Sequence, residues 1–378
     1  MITRDRVLNA INHHPVDRVP RDLGGLVSGI SKIAYERLLA YWKIKGLRIQ
    51  VSDRVQQLAQ IDDSILLKLK IDTRHIRANP QHDQPTPDYT SETFKDLYGI
   101  TYRRIGTTEI PTLYYEMVEF PLARATLNEV RNYQWPSPTE QWFTNLSNLA
   151  KTYWRDGYAV IADPLSGGIL EQAVWLRGLE RFFLDLYEHK DIVEELLELS
   201  LINQLEIWEA YLEKIGEWVN IIVYGDDYGH QDRTMMDPNM WRTLVKPRVQ
   251  VLIQSIKKAF PHIKIQLHSC GSIEPIIADL IEIGFDILNP VQPRAKNMDH
   301  SVLKDKFGSQ ICFHGGFDIQ NVLPLGNDSD VKQEVVRVLS TLAQDQTGYI
   351  FAMAHNILAD VPPENIITAF KTLNEFNW

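Results

Sequence analysis

Three stretches of this chain carry side chains that could hold a metal ion or move a proton, and each lies where an apolar run gives way to a turn. In the first, Ile263, Ile265 and Leu267 alternate with Lys264 and Gln266, then lead into His268, Ser269, Cys270 and Gly271. Alternation of this kind is the period of a short strand. Residues two apart on an extended backbone face alike, so His268 and Cys270 share a side. An imidazole and a thiolate suit zinc, and a third ligand from another strand end would leave the fourth position open for chemistry. His355 and His314 are the available thirds. The competing reading makes Cys270 a small buried residue, with the histidines bonded to one another or to backbone.

The second stretch is Asp226-Asp227, followed by Gln231 and Asp232. Adjacent carboxylates at a strand end could hold a cation, orient an imidazole or accept a substrate proton, which makes Asp226 and Asp227 catalytic candidates. Against this stands a capping role for Asp227 with Asp226 in solvent. The spacing excludes a calcium loop. The third stretch runs from His314 through Gly315 and Gly316 to Asp318 and Gln320. Its glycines would let the backbone approach a ligand, and exposed amides there could bind a carboxylate or phosphate. It lacks the lysine or third glycine of a nucleotide-binding loop. Gln231, Asn289, Gln292, His314 and Asp318 are the candidate substrate-binding residues around this rim. Surface salt bridges are expected for Arg18 and Arg74.

One kind of scaffold brings such distant residues together. Short apolar runs recur at 18–23, 158–162, 219–224, 263–267, 285–288, 310–313 and 349–354, each closed by polar residues or glycine, and most are followed by helical periodicity. Parallel strands joined by crossover helices follow, and their number fits a (β/α)8 barrel, an α/β TIM barrel, better than an open sheet. Helices are expected from Thr3 to about Asn12, from Ile33 to Trp42, from Trp142 to Asp156, from Leu179 to Ile215 and from Pro363 to Phe376. A pair of short helices is expected over 55–68, and only a brief extended piece over 71–76. Residues 80–135, proline-rich and irregular, read as an N-terminal excursion near the barrel mouth, with a hairpin strand around 99–104 and a lid-like role. One barrel domain over 1–378 accounts for the whole chain.

Composition narrows the function classes. With 44% hydrophobic and 23% charged residues the chain is an ordinary globular protein. A net charge of −10 disfavours nucleic acid or an anionic membrane as partner. No apolar run is long enough to span a membrane, and the start carries no signal-peptide core. Cys270 and Cys312 are the two cysteines, too few for a disulfide framework, so a cytoplasmic location is expected.

These residues together resemble the uroporphyrinogen decarboxylase superfamily, nearest its branch of cobalamin- and corrinoid-dependent methyltransferases. The resemblance rests on Arg4 to Ala10, Asp17 to Pro20, Asp226 to Gln231, His268 to Ser272, Asp286 to Gln292, His314 to Asp318, Ala354 to Ile357 and Val361 to Asn365, in that order. It implies the barrel fold. It also implies a zinc held by His-x-Cys and a later cysteine, which activates a thiol to take a methyl group from a corrinoid cobalt. His268 and Cys270 match the His-x-Cys, and His355 stands where the later cysteine would be, giving His268, Cys270 and His355 as the implied metal ligands. The decarboxylase grips its substrate with two arginines in an Arg-Gln-Ala-Gly-Arg motif, where this chain has Arg21-Asp-Leu-Gly-Gly. His355 matches the decarboxylase's late histidine.

The expected function is therefore zinc-assisted methyl transfer between a corrinoid such as methylcobalamin, or another activated donor, and a thiol or small-molecule acceptor. One alternative is a metal-free decarboxylase or lyase on a carboxylated substrate, with His355 and the Asp226–Asp227 pair as acid and base. The other is a non-catalytic corrinoid- or tetrapyrrole-binding protein. No Asp-x-His-x-x-Gly corrinoid signature is present, so a corrinoid would arrive free or on a partner protein. A homodimer is the expected assembly where one forms.

Overall fold

Most of the expected strand ends meet in one sheet. The computed structural model describes residues 1–80, 91–106 and 114–376. In chain order the strands are β1 (Gln50–Asp53), β2 (Leu58–Gln60), β3 (Thr73–Ile76), β4 (Thr93–Lys95), β5 (Thr101–Ile105), β6 (Tyr114–Glu119), β7 (Ala159–Ala162), β8 (Ile221–Gly225), β9 (Lys264–His268), β10 (Ile287–Asn289), β11 (Cys312–Phe317) and β12 (Tyr349–Met353). Seven of them pair in parallel in the order β12-β11-β10-β9-β8-β7-β3. Residues 20–22 fill the gap between the two edges. On one side Phe351 N–H donates to the Pro20 carbonyl and Asp22 N–H to the Phe351 carbonyl, both at 2.9 Å. On the other, Asp72 N–H donates to the Arg21 carbonyl at 3.0 Å. The ring is thereby closed as a (β/α)8-like barrel.

This closure corrects one expectation. The strand expected over 18–23 shrinks to a bridge between Arg21 and Phe351, and the piece over 71–76 supplies a full barrel strand instead. Pro20 has no N–H to give the ladder, which limits pairing there.

Side-chain alternation gives the barrel an apolar floor and a polar top. Ala159, Ile161, Ile221, Val223, Ile287, Cys312 and Ile350 pack together with Val7, Ala10 and Ile11 of the first helix, Thr3–Ile11, which plugs the lower end. Each buried aliphatic side chain in that plug contributes about 1.5–3 kcal/mol, enough to make the floor a dry, fixed base. Two residues further along the same faces stand Asp163, Gly225, Asn289 and His314, with His75 and His268 on neighbouring strands. The opposite faces of the strands, with Val160, Ile222, Leu267, Leu288 and Phe313, pack beneath the outer helices.

Elsewhere the outline holds with local changes. Of the two helices expected over 55–68 only Asp63–Lys68 forms; before it lies β2, paired antiparallel with β1 as a hairpin. The stretch from 179 to 215 divides at His189 into Leu179–Glu188 and Lys190–Ile215. Within the excursion, β4, β5 and β6 form an antiparallel sheet that docks on the elements following β7: Leu122 N–H donates to Leu176 O at 2.9 Å, and Tyr98 donates to Asn203 at 3.2 Å. Parts of the expected lid, 81–90 and 107–113, lie outside the described residues. Among the described residues no helix is long and apolar enough to cross a membrane.

Candidate functional site

The carboxyl ends of the barrel strands bring two linked groups of side chains to one mouth. His268 is the last residue of β9, Cys270 follows it, and His355 lies just past β12. Their ligand atoms all fall within 4.8 Å of one another. His268 Nε2 and Cys270 Sγ are 3.5 Å apart, and the His268 and His355 rings meet edge-on at 5.5 Å between centroids. Zinc bonds of ~2.1 Å to nitrogen and ~2.3 Å to sulfur at a tetrahedral angle set N and S about 3.5 Å apart. The donor set thus fits zinc in chemistry, and the His268–Cys270 pair fits it in spacing. Of the two available thirds, the fold brings His355 to this group and turns His314 elsewhere.

Protonation at this trio depends on its surroundings. Burial, followed by the nearby His268, pushes His355 down to about 3, so its imidazole is neutral and able to ligate. Burial, then the charges of Asp227 and Glu171, push the Cys270 thiol well above its ordinary range. Without a cation this cysteine stays a thiol.

The second group fills the mouth beside it. Asp22 accepts hydrogen bonds from His75 Nε2 at 2.8 Å, His314 Nε2 at 3.0 Å, Ser28 at 2.6 Å and Thr73. His75 also reaches Asp163 through Nδ1 at 3.0 Å. Burial alone would lower His75, but the charges of Asp22 and Asp163 outweigh it and hold the imidazolium up at about 10. Burial would likewise raise Asp22, yet the His75 charge and the His314 bond hold it well below the usual carboxylate range. From His314 the contacts continue through Asn289 to His268, at 2.6 and 2.5 Å.

The remaining candidates divide between the mouth and the scaffold. Asp226 is fully buried and accepts from Leu170 and Glu171 N–H and from the Tyr224 and Tyr228 hydroxyls at 2.8–3.0 Å. It therefore anchors the start of the helix Ile169–Arg177 instead of facing solvent. Burial pushes it up to about 6. Asp227 accepts the Cys270 N–H at 2.7 Å and so lies against the trio. Gln292 accepts the Gly271 N–H at 2.8 Å and shapes the same turn. Gln231 is exposed and donates to the Arg294 carbonyl. Asp318 is buried, paired with Arg294 at 2.7 Å, and caps its own turn through Gln320 and Asn321 N–H. A Cβ on Gly315 would lie 2.5 Å from the Pro290 carbonyl, so that glycine serves strand packing and not the approach of a ligand. Arg18 pairs with Asp72 and Arg74 with Asp63, both outside the mouth.

Four contributors are absent from the candidates the sequence offered: Asp22 and Asp163, which mark strand ends there without a role, and His75 and Glu171. His75 sits in a piece too short to show an alternation. Glu171 opens a helix, where an acidic residue is ordinary; only the fold sets it beside Asp226 and Asp227. Burial, then the charges of Asp227 and Asp226, push the proton affinity of Glu171 up.

Comparisons with known proteins bear on the family and the fold. The family model described as Uroporphyrinogen decarboxylase (URO-D) matches residues 165–376. A uroporphyrinogen decarboxylase from Chlorobaculum tepidum is 24% identical over 186 residues, 49% of this chain and 46% of that protein. One from Trichodesmium erythraeum is 26% identical over 183 residues, 46% of this chain and 49% of that protein. The chain spans about half the length of the curated relatives it matches. A solved methyltransferase from Methanosarcina mazei superposes with a TM-score of 0.65 at 16% identity, covering 100% of this chain and 99% of that one, and so shares the fold.

Proposed function

Because the chain belongs to the uroporphyrinogen decarboxylase family, we propose that it is a methyl-transferring enzyme of that family, with His268, Cys270 and His355 as ligands of a zinc ion. The observation that carries this reading is the trio itself: two imidazoles and one thiol at a barrel mouth with their ligand atoms within 4.8 Å of one another, the His268–Cys270 pair at 3.5 Å. Zinc held there would supply a Lewis acid that lowers the pKa of a thiol acceptor. His355 is neutral and available as a donor. Asp227, half-buried against the Cys270 amide, is the carboxylate placed to take the acceptor's proton. Glu171 lies beside it, with its proton affinity raised by burial and by the charges of Asp227 and Asp226. The sulfur of the acceptor then forms its bond to the methyl carbon as the donor's bond to that carbon breaks. The donor is a methylcorrinoid, free or carried by a partner protein, or another activated methyl compound.

A metal-free decarboxylation of a carboxylated substrate is the second reading, favoured by the names of the relatives and by the Asp226–Glu171 pair with raised proton affinity. Two observations count against a polycarboxylate. Arg21 turns away from the mouth, with its guanidinium on Leu69 O, Leu373 O and Asn374. At position 25 a Cβ would lie 2.3 Å from the His75 ring, so no longer side chain fits where the decarboxylase motif has its second arginine. The decisive assay offers the zinc-loaded protein methylcobalamin with simple thiols, and separately uroporphyrinogen. Loss of the methyl–cobalt visible spectrum with formation of the thioether supports methyl transfer. Carbon dioxide release from uroporphyrinogen without methyl transfer would replace it.

A further inference from the structure

The polar chain that joins Asp22 to His268 has a direction, and that direction bears on the ligand atom. Asp22, His314, Asn289 and His268 are all buried, exposed by 7% or less. Three consecutive hydrogen bonds link them: Asp22 Oδ2 to His314 Nε2 at 3.0 Å, His314 Nδ1 to Asn289 Nδ2 at 2.6 Å, and Asn289 Oδ1 to His268 Nδ1 at 2.5 Å. A carboxylate only accepts, so His314 must carry its proton on Nε2. The same Asn289 nitrogen lies 3.4 Å from the His314 carbonyl, which only accepts, so the NH2 faces His314 and the Nδ1 it meets is an acceptor. The amide oxygen is left facing His268 and accepts from Nδ1–H. The lone pair of His268 is thereby placed on Nε2, the atom 3.5 Å from Cys270 Sγ. Reversing the amide would set NH2 against His268, move the ring proton to Nε2 and abolish the ligand.

We propose that Asn289 is a directional relay through which His314 and the buried Asp22, three hydrogen bonds away, hold His268 in the Nδ1–H tautomer with Nε2 free for a metal. Asn289 and His314 are positioning residues in this scheme; the inference rests on the proposed zinc trio. The partners that orient a ligating histidine commonly govern metal affinity by about 10- to 100-fold. Here that control reaches beyond the direct partner to the strand after it.

The test combines a metal-free readout with a binding measurement. Full-length protein labelled with 15N-histidine, its His268 signal assigned through His268→Gln, is examined by long-range 15N NMR, and zinc affinity is measured by competition with a chromophoric chelator. The metal-free wild type is expected to show His268 as the pure Nδ1–H tautomer and His314 as Nε2–H. His314→Leu leaves the Asn289–His268 contact in place and removes the shorter of the two contacts that orient the amide NH2, the His314 ring at 2.6 Å, keeping only the long one to the carbonyl of residue 314 at 3.4 Å. A mixed tautomer at His268 and zinc binding weakened about 10-fold or more are expected. Asn289→Leu should do the same. Asn289→Asp keeps an acceptor against His268 and should preserve both tautomer and affinity, which separates direction from folding. An Nε2–H tautomer in the wild type, or an unchanged His268 in His314→Leu, would overturn the relay. A wild type with the expected tautomer but no zinc binding would overturn the proposed metal site and leave the relay standing.

Discussion

His75 is the residue on which the chemistry of the mouth most depends without belonging to the metal trio. It lies between Asp22 and Asp163 and stays charged up to about 10 because two carboxylates face it. The unfolded chain titrates this histidine near 6.5, so its contribution to stability is complete below about pH 6.5 and is lost as pH rises toward 10. Asp22, with its proton affinity lowered, contributes above about pH 4 and loses that contribution in stronger acid. The difference in unfolding free energy between the wild type and His75→Gln, from urea titration, is therefore expected to be largest between about pH 4 and 6.5 and to shrink on the alkaline side by a few kcal/mol. A difference that stays constant on the alkaline side would contradict the assignment. The His268–Cys270 pair was readable from sequence, because His-x-Cys on a strand end turns both side chains the same way, whereas the residues left the third member open between His355 and His314 and the fold brings His355 to the pair. His75 was not, since in four residues of β3 nothing distinguishes an inward histidine from an outward one. Asp226 shows the opposite limit: its position at a strand end was legible, whereas its four buried donors come from a helix and from tyrosines that only the fold delivers.

Between elements, the contact of the turn after residues 20–22 with β3 sets what the mouth accepts. Gly25 is there because the His75 ring occupies the space its side chain would take, with the nearest ring atom 2.3 Å from a Cβ. Gly25→Ala must move the turn or the ring, and overpacking of this kind costs about 1–3 kcal/mol. Chemical denaturation of that variant should show a loss in this range and weaker pH dependence on the alkaline side. A neutral substitution would mean that the turn yields freely. Helices with a strong apolar stripe or a proline start were legible to within a residue or two, as in Thr3–Ile11 and Pro363–Glu375. The strand β2 falls inside the stretch expected to be helical because three residues are too few for either period to show. The break at His189 interrupts an apolar pattern that continues on both sides, and periodicity alone does not register it.

At the scale of the molecule, the barrel turns a scattered set of residues into a layered one. The apolar plug under the sheet excludes water from below, and the polar layer above it is tied together by hydrogen bonds from Asp163 to His268. The repeated strand–turn–helix pattern made the barrel legible, together with the face on which chemistry would lie. The closing eighth position was harder to see, because three residues with a proline in them complete the ring through bonds to two distant strands. The central claim concerns the trio, and metal content tests it most directly. Purified, untagged protein is to be assayed by mass spectrometry for bound metal, wild type beside Cys270→Ala. About one zinc per wild-type chain, absent from the variant, is the predicted result. No zinc in the wild type, or an equal amount in both proteins, would contradict it.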